Sequence, residues 1–143
     1  MSQPQQDLKN HARYVPLFHF LLYGLAAVNF VHAARKLFPF SADSFYPMVV
    51  ATALVLMCWY IRAFPLRVQD RVIRLEEMLR LRALAPELAP RMHEIQPDQW
   101  TALRFASDGE FPVLVRDVLA GKLTRSADIK RAIKNWRPDN LRA

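Results

Sequence analysis

The sequence predicts an all-α protein: a two-helix transmembrane hairpin, a long juxtamembrane amphipathic helix and a small three-helix cytoplasmic tail. Three observations carry that prediction. Two apolar runs, residues 17–34 and 45–61, contain no Asp, Glu, Lys or Arg. A helix rises about 1.5 Å per residue, so roughly 17–25 apolar residues cross a hydrocarbon core about 30 Å thick. Val68, Val72, Leu75 and Leu79 then recur at the spacing of a single helix face. Glycine is scarce, three in 143 residues, which disfavours phosphate-cradling loops and glycine-dependent β-hairpins.

Residues 1–15 are polar and Gln-rich and predict an irregular N-terminal segment. The hairpin is expected over 16–64, with spans at about 17–34 and 45–64. Pro16 and Pro47 suit first helical turns, where a missing N–H costs nothing. Tyr14, Phe18 and Tyr23 stand near one end of the first run, with Trp59, Tyr60 and Phe64 at the return crossing. Phe38, Phe40, Phe45 and Tyr46 flank the connecting loop, so each interface has its aromatic belt. Lys9, Arg13, Arg62, Arg67, Arg71 and Arg74 flank the spans on one side, against Arg35 and Lys36 in the loop. That bias predicts a multi-pass protein with both termini cytoplasmic, and Arg35 and Lys36 can snorkel at a helix end. A cleaved signal peptide competes for the first run, since Lys9 and Arg13 form a basic leader and Val31, His32 and Ala33 resemble a cleavage site. The run is long for such a segment, which favours a span.

The chain-wide mean hydropathy of −0.01 hides the spans behind a charged second half, in which residues 62–143 carry 16 Lys and Arg against 11 Asp and Glu. Residues 65–85 predict the juxtamembrane helix, with Asp70–Arg74 and Glu76–Arg80 as i,i+4 pairs and a kink at Pro65. Its apolar stripe must meet a cover: the tail, the hairpin, a second copy or another protein. Prolines at 86, 90 and 97 predict a Pro-rich linker over 86–97.

The tail, 98–143, predicts three short helices. Pro97 opens the first, with Ile95 and Trp100 placed as a hydrophobic staple. Ser107 and Glu110 have capping-box spacing before the second, whose apolar face is Phe111, Leu114, Val115, Val118 and Leu119. Gly121 ends it. The third is expected to bury Ile129, Ile133 and Trp136 and to stop at Pro138. On that helix Lys130, Lys134 and Arg137 would share a basic face rotated about 100° from the apolar one.

Candidate chemistry is sparse. The lone cysteine, Cys58, lies in the second run, so no intrachain disulfide forms. His19 and His32 sit 13 residues apart, about 20 Å along one helix, too far to hold one metal or one haem axis together. No H-x-x-x-H or C-x-x-C spacing occurs, so no metal site, cofactor or catalytic residue is expected. Asn29, His19 and His32 are the intramembrane polar residues, of the kind that join helices. Asp108, Glu110 and Asp117 suit a helix dipole better than acid–base catalysis. The basic last helix suits anionic lipid head groups, an acidic protein surface or nucleic acid, although no nucleic-acid-reading motif accompanies it.

Four polar segments, KNHARYVP at 9–16, VQDRVIRLEE at 68–77, LRFASDGEFP at 103–112 and IKRAIKNWRPD at 129–139, resemble those of a family of uncharacterised bacterial two-span membrane proteins. The resemblance implies a bacterial inner-membrane hairpin with a cytoplasmic helical tail, and it implies no reaction. The expected function is non-catalytic, a membrane-anchored scaffold or accessory subunit that meets membrane lipids and a second protein or a second copy of itself. The alternative is a tethered module binding anionic lipid or nucleic acid through Lys130, Lys134 and Arg137. Val68, Val72, Leu75 and Leu79 complete the expected contact residues.

Overall fold

A computed structural model describes residues 15–38 and 40–139 of the protein. Every named element among them is helical, and they divide into two compact units between Leu66 and Arg67. Residues 1–14, for which an irregular segment was expected, lie outside the described residues.

In the first unit, a π-helical turn at Leu17–Leu22 runs into helix α1, Tyr23–Lys36. Pro16 precedes the turn as its N-cap, with the φ that its ring already holds. Helix α2, Ala42–Leu84, contributes its first part here. Its start lies upstream of Pro47 because Ser41 and Ser44 form a reciprocal cap. The Ser44 N–H donates to Ser41 Oγ at 3.2 Å and the Ser41 N–H to Ser44 Oγ at 3.0 Å. Among the described residues of this unit the buried ones are small: Ala33, Ala51 and Cys58. Small side chains let helix backbones approach, and the Tyr23 hydroxyl donates to the Cys58 carbonyl at 3.5 Å. The helices Leu17–Lys36 and Ala42–Leu84 are both long and apolar enough to cross a membrane, and the apolar window of each is only 6% buried. A core helix of a soluble domain hides such a window; these two present theirs outward.

Helix α2 corrects one expectation. The sequence divides at 64 into a span and a separate juxtamembrane helix, whereas the structure keeps one 43-residue helix through Pro65. Proline removes one backbone N–H, and with it the single bond to the Ile61 carbonyl. Apolar and helix-favouring residues on both sides supply the remaining turns.

In the second unit, α2 ends before Pro86, where Ala85 leaves the helix at φ −149°. The residue before a proline is disfavoured in the α region. The expected linker is instead structured: Pro86–Glu94 is a 3-10 helix, and its Leu88 and Met92 pack on the core beside buried Ile95. Helix α3, Pro97–Leu103, starts at a capping box in which the Gln96 N–H donates to Gln99 Oε1 at 2.8 Å. Helix α4, Phe111–Leu119, closes on Gly121 at φ +73°. There the Lys122 N–H reaches the Asp117 carbonyl and the Gly121 N–H that of Val118, the paired bonds of a Schellman motif. Helix α5 is Ser126–Ala132. These pieces enclose a core whose largest fully buried side chains include Leu81, Trp100, Leu103, Phe105, Phe111 and Ile129. Trp136 sits at its margin, partly buried, with its ring 5.0 Å from that of Phe105.

The last helix is shorter than its pattern predicts. It ends at Ala132, and Ile133 turns to extended backbone. An antiparallel bridge then joins Trp136 to Ala106: the Arg137 N–H donates to the Phe105 carbonyl at 2.7 Å and the Ser107 N–H to the Asn135 carbonyl at 3.1 Å. Glu110 explains the stop. Its carboxylate accepts the backbone N–H groups of Lys134 and Asn135, at 3.2 and 3.1 Å, and the Asn135 side-chain amide at 2.8 Å. Those amides are bound outside the helix, and a charged acceptor makes the stronger bond. Glu110 therefore serves this junction in place of the expected capping box with Ser107.

Candidate functional site

Arg80, on α2, organises the polar side of the second unit. Nη1 meets the Glu77 carboxylate at 3.0 Å, Nε donates to Asp108 Oδ1 at 2.8 Å, and Nη2 donates to the Ala106 carbonyl at 2.6 Å. The guanidinium also lies over the Phe111 ring, 4.3 Å from its centroid. Sequence spacing pairs Arg80 with Glu76; the tertiary fold assigns it to Glu77 and to Asp108, 28 residues away. Arg104, which is buried, reaches Asp139 at 3.2 Å and lies over Phe105. Arg80, Arg104, Glu77 and Asp108 line an open cleft of about 550 Å³, with Arg137 and Asp139 at its rim. Burial pushes the Glu77 carboxyl above its ordinary 4.5, while the charge and hydrogen bond of Arg80 pull it back down. The geometry ties α2 to the α3–α4 connection. Arg80 spends its donors on that structural work, and no sequence pattern marks it, because Asp108 and Ala106 are distant in the chain.

The stripe is the second feature. Val68, Val72, Leu75 and Leu79 are between 48% and 61% exposed. Ile73, Glu77 and Leu81, from the other side of the same helix, are at most 5% exposed. At 100° per residue, Leu81 and Ile73 lie well over 100° from the centre of the stripe. The tail therefore packs on α2 by the face opposite the stripe, and the tail as cover is ruled out for these four residues.

The basic trio does not share a helix face. Lys130 is on α5 and partly buried, with its ammonium 5.8 Å from the Phe105 centroid. Lys134 and Arg137 lie beyond the helix, their backbone N–H groups bound by Glu110 and Phe105. The 100° argument for one basic face fails with the helix that it presumed. The intramembrane polar residues separate as well. His19 is partly buried, its Nδ1 3.0 Å from the Val15 nitrogen and carbonyl oxygen, and its ring packs edge-on to Phe18 and Tyr23. Asn29 and His32, on α1, are exposed. Among the described residues no three His, Cys, Asp or Glu gather as a metal site.

Fold and surface together define a class: an all-helical chain with two helices able to cross a membrane and a small helical unit following them. The chain belongs to a family of unknown function (DUF6526), which it matches over residues 1–143. No curated protein and no solved structure matches it.

Proposed function

We propose that the protein is a non-catalytic, membrane-anchored scaffold or accessory subunit of a bacterial inner-membrane complex, with both termini cytoplasmic. The observation that carries this reading is the uncovered stripe on α2. Four aliphatic side chains left in water forgo roughly 1.5–3 kcal/mol each, and the chain's own tail packs against the other side of the helix. Exposed Asn29 and His32 add support from within the first span, because polar side chains in hydrocarbon commonly meet another helix. The protein thus presents unfilled surfaces at two levels, and its polar cleft is lined by structural ion pairs.

The test is purification of the full-length protein from membranes in mild detergent. A stoichiometric partner, whether a second copy or another protein, is expected, and Leu75→Glu should release it with the tail still folded. Recovery of a lone monomer from both membranes and cross-linked cells would defeat the reading.

A further inference from the structure

We infer that the uncovered face of α2 is the seam of a parallel homodimer, an inference that rests on the proposed function and names its partner. Val68, Val72, Leu75 and Leu79 follow a 4-3-4 spacing, which places Val68 and Leu75 at heptad d positions and Val72 and Leu79 at a. The next position on the seam toward the C-terminus is Arg82, where the apolar seam ends; toward the N-terminus it runs through Pro65 to exposed Ile61, in the second apolar run. Beside it, Arg71 falls at g and Glu76 at e. In a parallel pair the g residue of one helix meets the e residue five positions later on the other. Arg71 therefore faces Glu76 of the second copy, and symmetry repeats the pair. An antiparallel pair apposes g with g and e with e, setting like charges together.

Both residues are available for that role. Arg71 and Glu76 are exposed and take part in none of the ion pairs among the described residues. Arg80, the neighbour that would have claimed Glu76, is held by Glu77 and Asp108. The complementarity is of the chain with itself, which is the signature of a two-fold interface in which each patch meets its own copy. Parallel is also the sense that a membrane imposes, since copies inserted with one orientation send α2 out on the same side. Two heptads are few for a free coiled coil. Anchorage in one membrane raises the effective concentration of the helices and supplies what the short seam lacks.

The test is disulfide cross-linking of the full-length protein in its membrane, in a Cys58→Ala background. Leu75→Cys and Leu79→Cys should each yield a species of twice the monomer mass, several-fold more than Asp70→Cys and Arg74→Cys on other faces of α2. Equal yields at seam and control positions, or none at the seam, would overturn the homodimer. So would an adduct with a protein of different mass at Leu75, an outcome that leaves the accessory-subunit reading standing. A monomer both here and in the purification removes both. A second arm tests register. Arg71→Glu should lower the Leu75→Cys dimer yield several-fold, and adding Glu76→Arg should restore it. Both sites are exposed, so folding is spared. A yield indifferent to all three charge states would refute the parallel pairing.

Discussion

Glu110 and Arg80 show how single side chains hold the tail together. Glu110 binds two backbone N–H groups and one amide of the segment after α5. Glu110→Ala hands those exposed donors to water, at a cost of about 0.5–1.5 kcal/mol. Hydrogen exchange should therefore quicken at Lys134 and Asn135 and remain slow in α3. Arg80, half-buried, pairs with buried Glu77, so Arg80→Ala strands a buried carboxylate. Breaking such a pair costs about 3–5 kcal/mol, which a denaturant midpoint of the full-length protein will register. The pH dependence has a definite sign. Burial raises the Glu77 carboxyl above its ordinary 4.5, so just above that pH the folded chain holds a proton that the unfolded chain has released. Stability from this group is lost as pH rises through the window and regained as pH falls. Glu94 and Asp128, lowered by hydrogen bonds from Arg91 and Arg125, act in the opposite sense. Comparing wild type with Glu77→Gln cancels them: wild type should weaken relative to the variant as pH climbs from 4.5, and parallel curves would refute the burial argument.

At the scale of elements, α2 carries two faces with different duties, and two substitutions six residues apart separate them. Leu81 is fully buried in the tail core, and Leu81→Ala should cost about 2–5 kcal/mol. Leu75 is exposed, and Leu75→Ser should shift the stability of an isolated chain by no more than about 0.5 kcal/mol. Equal losses in thermal melts would mean that the faces are assigned wrongly. The stripe was visible in the sequence because helical periodicity is local. Which neighbour covers it was not, since the opposite face of α2 carries Ile73, Glu77, Arg80 and Leu81, a mixed set that no hydrophobic pattern singles out. The start of α3 was legible from Pro97 and the end of α4 from Gly121, whereas the capping-box spacing of Ser107 and Glu110 misjudged how α4 begins. The end of α5 was not legible, because Glu110 stops it from 24 residues away. The 3-10 helix Pro86–Glu94 was hidden by its prolines, which mark a break in α-helix without excluding a tighter one.

For the whole molecule, the proposed topology predicts a labelling pattern. With Cys58 replaced, a cysteine at Ser41 should react with a membrane-impermeant thiol reagent in intact cells. One at Ala127 should react only after the membrane is opened, and the converse pattern would invert the orientation. The sequence by itself determined two helices long and apolar enough to cross a membrane, an all-helical chain, the proline that starts α3, the glycine that ends α4, and the stripe along α2. All of these follow from residues within a few turns of one another, where composition, periodicity and capping act. Only the tertiary structure decided that α2 continues through Pro65, that Arg80 belongs to Glu77 and Asp108, that Lys130, Lys134 and Arg137 lie on no common helix face, and that the stripe stays clear of the tail. Three of these four depend on contacts between residues far apart in the chain. Their energies come from burial and from charge-assisted hydrogen bonds that form only when distant segments meet, and local periodicity contains no record of such meetings.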